Sequence, residues 1–236
     1  MHLARGYLLQ YADFDWHGAE AEYRRAMELA PNDADAKFWF GNQLATLGEM
    51  ERAIELTRQA LGTEPLRGFW YGWLAVYLSG SNRLDEAERA IRRSIELEPA
   101  GVVEHYVLAV IEIQRGNAQA ALAAAEQEPP GPARDAALAA ALYFSGNDQD
   151  AAGAALKILI EKDANIAAYY IAQVYALRND ANKTFEWLDR AWTNRDGAIT
   201  SVLYDAFIQR YKDDPRFAAF CRKVGLPAPG GVRPRT

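Results

Sequence analysis

Cysteine and long apolar runs are scarce in this chain of 236 residues. The single cysteine, Cys221, excludes an internal disulfide framework and is typical of a reducing compartment. No apolar run approaches the 18 residues that a membrane-spanning helix needs. Residues Met1 to Gln10 also lack the basic start and apolar block of a secretory signal. Together these absences predict a cytoplasmic location and no membrane association.

The chain also lacks an excess of basic charge, because its 26 Lys and Arg stand against 32 Asp and Glu, for a formal net charge of −6. The cationic cluster at the end of the chain, Arg233 and Arg235, is too short for a nucleic-acid-binding stripe. We therefore expect no nucleic-acid partner.

Side chains with catalytic chemistry are few and scattered. The three histidines, His2, His17 and His105, have no metal-ligand spacing, and no glycine-rich phosphate loop is present. Cys221 fits a small buried hydrophobe, and Glu112, which stands where an apolar side chain is usual, is expected to turn to solvent. The sequence thus predicts no enzyme, no metal and no cofactor.

A fixed interval of 34 residues is the strongest positive signal. It separates Ala19, Ala53, Ala87 and Ala121, and it also separates Pro31, Pro65 and Pro99. Such a period in a helix-forming sequence indicates an array of helix pairs. A small residue at the repeated alanine position lets the two helices of each unit approach closely.

Turn residues divide the chain into about six units and an end cap. Gly or Asn between the two helices of a unit favours the left-handed backbone that ends the first helix. The period slips at Pro129–Pro132, after which Ala151 and Thr184 are predicted at the helix crossings. We predict one all-α superhelical solenoid over 1–225, right-handed and built of antiparallel helix pairs, with units 1–33, 34–67, 68–101, 102–131, 132–164 and 165–197, a two-helix cap over 198–225 and a disordered tail over 226–236.

The repeated positions resemble the tetratricopeptide repeat, with a large apolar residue followed by Gly or Ala, a small Ala, a further Ala and Pro. The run Trp187–Ala191, with Arg195-Asp196 and Asp214–Phe217, is also similar to the close of certain bacterial proteins. In those proteins the repeats follow a class III adenylate cyclase or winged-helix DNA-binding domain. The chain also opens as a helix without a capping residue. We therefore expect a piece of a longer signalling or transcription protein.

The resemblance implies a concave groove lined mainly by the second, fifth, sixth, ninth and twelfth places of each unit. The groove residues that we selected on this basis are Phe38, Trp39, Asn42, Phe69, Trp73, Val76, Tyr106, Val110, Tyr169, Tyr170 and Gln173. About half of the aromatic residues in this set are expected to serve packing rather than binding.

An aromatic, largely uncharged groove suits a protein or peptide partner, such as an amphipathic helix or an extended apolar segment. A clamp for a C-terminal carboxylate is disfavoured, because Phe38 stands where repeat proteins of that type have Lys. Two alternatives stay open: a self-assembling homodimer, and a sensor of a small apolar ligand or signalling peptide.

Overall fold

The computed structural model describes residues 1–228 and contains thirteen α-helices over that range, with no strand. Twelve of them form six antiparallel pairs, in which each first helix packs on the second helix of its unit. This confirms the predicted all-α solenoid. The pairs are α1 (His2–Leu8) with α2 (Trp16–Leu29), α3 (Ala34–Thr46) with α4 (Met50–Thr63), α5 (Gly68–Gly80) with α6 (Leu84–Leu97), α7 (Glu104–Arg115) with α8 (Ala118–Gln127), α9 (Pro132–Ser145) with α10 (Gln149–Asp163), and α11 (Ala168–Leu177) with α12 (Ala181–Thr193).

The turns inside the units lie where the Gly and Asn residues predict them. The residue that ends the first helix has positive φ in five units, at Gly48, Asn82, Gly116, Gly146 and Asn179. In the first unit α1 runs into a π-helical stretch, Leu9–Asp13, and Phe14 takes the left-handed conformation instead. Phe14 is an unusual residue for that conformation, because bulky side chains rarely have positive φ.

A fully buried small residue marks each helix crossing, and it always lies four residues after the N-cap of the second helix. The residues are Ala19, Ala53, Ala87, Ala121 and Thr184. In the fifth unit the prediction of Ala151 was wrong, because the buried residue is Ala152. Asn147 adds one residue between Gly146 and the N-cap Asp148, which moves the crossing by one position.

The cap differs from the predicted pair of helices. Its second member is α13 (Pro215–Val224), which begins at the N-cap Asp214 and ends at Gly225 with φ of 76°. Its first member is not an α-helix, because residues 197–211 form two 3-10 turns, Gly197–Ser201 and Ile208–Tyr211, with turns between them. The Asp205 side chain accepts the N–H groups of Phe207 and Ile208, and this replaces the backbone bonding of a helix. We call residues 197–211 the return segment.

The predicted tail is described only as far as residue 228. Leu226 is buried, and its N–H donates to the carbonyl of Cys221, so this residue continues the cap rather than the tail. Residues 229–236 lie outside the described part of the chain.

The two ends of the array meet. Trp16 Nε1 donates to the Val224 carbonyl at 2.7 Å, which joins α2 to α13. The Phe14 ring stacks on both Trp16 and Trp192, with ring centroids 5.3 and 5.2 Å apart. Arg195 also donates to the carbonyl of Ala12 at 3.0 Å. The solenoid is therefore closed into a ring, with the first unit against the cap.

Candidate functional site

The return segment lies on the concave face of the ring. The Tyr204 ring packs edge-on against Tyr77 of α5, with centroids 5.6 Å apart. The backbone of Tyr204 lies very close to Gly80 of α5. A Cβ added at Gly80 would clash with the Tyr204 carbonyl oxygen and lie 3.1 Å from its carbonyl carbon. The segment thus crosses the inner surface that an open solenoid would present to a partner.

Asp205 is the anchor of the return segment. Its carboxylate accepts the Tyr169 hydroxyl at 3.2 Å, the Gln173 amide, and the two backbone N–H groups of Phe207 and Ile208 at 2.9 Å. Burial raises the pKa of Asp205, and these N–H donors partly offset the rise. Tyr169 and Gln173 occupy the fifth and ninth places of unit six, so the chain fills this part of its groove with its own carboxylate.

A cavity of about 340 Å³ remains between the return segment and helices α5, α7 and α11. This volume is at the lower end of the range for small-ligand sites. Eight of the eleven predicted groove residues line it: Phe69, Trp73, Val76, Tyr106, Val110, Tyr169, Tyr170 and Gln173. We call this space the central cavity.

Three predicted groove residues lie outside the lining of the central cavity. Phe38 is fully buried and stacks on Trp70, with centroids 5.1 Å apart. Trp39 meets the edge of Tyr7. Asn42 is buried, accepts from the side chains of Gln10 and Tyr11, and donates to the Tyr77 hydroxyl. The opening helix, which consists of α1 and the π-helical stretch Leu9–Asp13, therefore covers the concave face of unit two. Its side chains also bond to the polar groups of Asn42.

Two carboxylates line the central cavity, Glu104 and Asp205, and no Lys or Arg does so among the described residues. Glu104 is 6 % exposed, and its Oε2 has no hydrogen-bond partner in the described part of the chain. Burial raises the pKa of Glu104, a hydrogen bond from its own backbone N–H partly offsets the rise, and the charges of Glu128 and Glu98 add to it. The repeat places predicted neither residue, because Glu104 holds the third place of unit four and Asp205 lies beyond the repeats.

The mouth of the cavity has an apolar rim. Phe69, at the start of α5, is 45 % exposed, and Val103, just before α7, is 37 % exposed. Leu66, Val102 and Ile166 are more exposed still and lie in the loops before α5, α7 and α11, outside the lining of the cavity. Exposed apolar side chains at a concave site, such as Phe69 and Val103, are typical of a surface that a partner covers.

The other polar candidates have structural surroundings. Glu112 does not turn to solvent as expected; it is buried and accepts from the Asn117 amide at 2.8 Å. Burial raises the pKa of Cys221 to about 11, which suits an inert core thiol. His2 lies 2.7 Å from Glu22. Residues 1–228 contain no group of three or more His, Cys, Asp or Glu side chains that could hold a metal ion. None of the helices in that range has both the length and the hydropathy of a membrane span.

No family model matches the chain. A stretch of 92 residues, 38 % of this chain, is 32 % identical to the small glutamine-rich tetratricopeptide repeat-containing protein 2 of Mycosarcoma maydis. The match spans 25 % of that protein's length.

Three solved structures give broader likeness. A thermophilic tetratricopeptide repeat protein of Thermus thermophilus is 20 % identical, with 81 % of this chain and 97 % of that chain covered and a TM-score of 0.61. PilF of Pseudomonas aeruginosa is 16 % identical, with 90 % and 96 % covered and a TM-score of 0.56. A tetratricopeptide repeat protein of Parabacteroides merdae is 15 % identical, with 98 % and 93 % covered and a TM-score of 0.56. At these identities the likeness shows the fold, which is that of a tetratricopeptide-repeat solenoid.

Proposed function

We propose that this tetratricopeptide-like solenoid is a recognition module that binds a short segment of a partner protein, with one side chain of that segment in the central cavity. Proteins built of such repeats are generally interaction scaffolds, which present concave surfaces to their partners. The observation that carries the proposal is the apolar cavity of about 340 Å³ with exposed Phe69 and Val103 at its rim.

An inserted side chain suits this geometry better than a whole helix in the groove. The opening helix covers the concave face at Asn42, and the return segment covers it at Tyr77 and Gly80. The cavity of about 340 Å³ that remains can hold a large side chain and its neighbours. It is too small for a whole α-helix, which is about 10 Å or more in diameter. A partner that packs on the apolar rim would also exclude water from the inserted side chain, as in other interface hot spots.

The wider context is part of the same proposal. The resemblance of Trp187–Ala191 and Asp214–Phe217 to the close of bacterial fusion proteins supports a place in a larger signalling or transcription protein. The single, buried cysteine supports a cytoplasmic location. The net charge of −6 and the carboxylates at the cavity favour a protein partner over a nucleic acid.

Selection from a displayed library of random heptapeptides tests the proposal. We expect enrichment of peptides that share one anchor residue flanked by apolar residues. Trp73→Ala should abolish their binding in calorimetry, because the Trp73 ring lines the cavity. Trp39→Ala is the matched control, since Trp39 holds the same place one unit earlier but lies outside the lining, and it should retain binding.

Binding that survives Trp73→Ala, or a selection without enrichment, would overturn peptide recognition at this cavity. Circular dichroism establishes that both variants remain folded. A thermal shift with small apolar compounds, in the absence of peptide enrichment, would instead favour a small-ligand sensor at the same cavity.

A homodimer is the second candidate, and the exposure of Tyr7 and Leu8 on α1 favours it. Light scattering over a range of concentrations tests it, with Leu8→Glu expected to abolish any concentration-dependent rise in mass. A constant monomer mass would exclude this candidate.

A further inference from the structure

The charge of the central cavity is unbalanced. Glu104 and Asp205 line it without a Lys or Arg among the described lining residues. A buried carboxylate is costly unless it is paired or hydrogen-bonded. Asp205 meets that need, because its two oxygens accept from four donors of the chain itself. Glu104 meets it only in part, since its own backbone N–H stabilises the carboxylate but its buried Oε2 has no hydrogen-bond partner in the described structure.

Nearby carboxylates add to this negative charge without being free to pair. Glu128 accepts the N–H groups of Val103 at 2.7 Å and Tyr106 at 2.8 Å, and Glu98 accepts that of Phe69 at 2.9 Å. Both thus serve as caps at the start of α7 and α5. Their charges act on Glu104 through space, and a positive group next to Glu104 would be attracted by all three carboxylates.

Aromatic rings form the apolar walls. Trp73, Tyr106, Tyr170 and Tyr204 line the cavity, and the rings of Tyr106 and Tyr170 meet at 4.9 Å between centroids. Aromatic faces attract cations, and they also pack well against an aliphatic or guanidinium stem. The cavity therefore combines the two features that suit a side chain with an apolar stem and a positive end.

We propose that the side chain which the partner inserts into the central cavity is cationic, an arginine or a lysine, whose charged end pairs with Glu104 while its stem packs on Trp73, Tyr106 and Tyr170. This inference rests on the proposed function, because it specifies the anchor residue of the bound segment. Its partner is an arginine- or lysine-containing segment with apolar flanks, which would contact Phe69 and Val103 at the rim.

The heptapeptides selected as above provide the test. Enrichment of Arg or Lys at the anchor is expected. For an arginine anchor, replacement by citrulline removes the charge but keeps the shape, and affinity should fall roughly tenfold or more, as for the loss of a charge-assisted hydrogen bond. For a lysine anchor, norleucine removes the ammonium group and keeps the four-carbon stem.

Glu104→Gln should lower the affinity for the cationic peptide roughly tenfold or more as well. It should change the affinity for the peptide with the neutral anchor only slightly. Glu112→Gln is the matched control, because Glu112 is a buried carboxylate on the same helix outside the cavity lining, and it should bind like the unaltered chain. Circular dichroism shows that both variants fold.

The pH profile gives an independent readout. Burial raises the pKa of Glu104, so this carboxylate takes up a proton at a higher pH than an exposed glutamate. Affinity for the cationic peptide should therefore fall as the pH decreases through that raised pKa, and Glu104→Gln should reduce this dependence to the part that Asp205 contributes, whose pKa burial also raises.

Neutral or acidic anchors among the selected peptides, or equal binding by Glu104→Gln, would overturn the cationic anchor while leaving peptide recognition intact. A selection without any enrichment would instead overturn the proposed function itself.

Discussion

Gly80 shows how one residue permits the contact between the repeats and the return segment. The backbone of Tyr204 lies directly against it, and the atoms nearest to an added Cβ are backbone atoms that cannot rotate away. In the sequence Gly80 is an unremarkable residue at the end of a helix, two positions before the turn residue Asn82. Its role could not be predicted, because it depends on a segment more than a hundred residues later in the chain.

Gly80→Ala should therefore destabilise the protein by about 1–3 kcal/mol, the typical cost of overpacking a close contact. Gly153→Ala is the matched control, since an added Cβ at that helical glycine has nothing within 4 Å. The control should be neutral or stabilising by about 0.5–1 kcal/mol, because alanine favours a helix. Urea unfolding measures both, and equal stability of the two variants would show that Tyr204 does not pack at Gly80.

At the scale of the helices, the sequence predicts most of what the structure contains. The interval between Ala19, Ala53, Ala87 and Ala121 gives the crossings, because each unit repeats the same spacing from cap to crossing. The fifth unit shows the limit of this reasoning. Counting from Gly146 predicts Ala151, whereas the N-cap Asp148, whose side chain accepts from the Ala151 N–H, sets the helix start one residue later.

The corrected crossing predicts a contrast between neighbouring alanines. Ala152→Leu should lower the free energy of unfolding by about 1–3 kcal/mol, because Ala152 is fully buried where two helices meet. Ala151→Leu should cost much less, since Ala151 is only partly buried. Thermal unfolding of the two variants checks this, and the reverse order of stabilities would restore the original position of the crossing.

The sequence predicts part of the candidate site and misses the rest. The repeat places predict which residues of α5, α7 and α11 face inward, and eight of them line one cavity. They do not predict Glu104, because it lies between the repeat places. They do not predict Asp205 or Tyr204 either, because the return segment is not part of any repeat. Adjacent aromatics such as Phe38 and Trp39 also share one pattern in the sequence, yet only contacts from other units determine which of them is buried.

At the scale of the whole molecule, the closed ring is the feature that the sequence does not contain. A 34-residue period describes neighbouring units, and each unit of an open solenoid contacts only its neighbours. The contacts between Trp16 and Val224, and between Phe14 and Trp192, join residues from opposite ends of the chain. This closure, together with the return segment, turns an open groove into the central cavity.

Hydrogen exchange measured by mass spectrometry on Trp16→Phe tests this closure most directly. The substitution keeps an aromatic ring but removes the Nε1 donor to the Val224 carbonyl, a loss of about 1–3 kcal/mol for a buried acceptor left unpaired. Trp70→Phe is the control, because Trp70 is equally buried but stacks on Phe38 inside the array. A closed ring predicts that Trp16→Phe reduces protection in both α2 and α13, while Trp70→Phe leaves α13 unchanged. Reduced protection in α2 alone would contradict the closed ring.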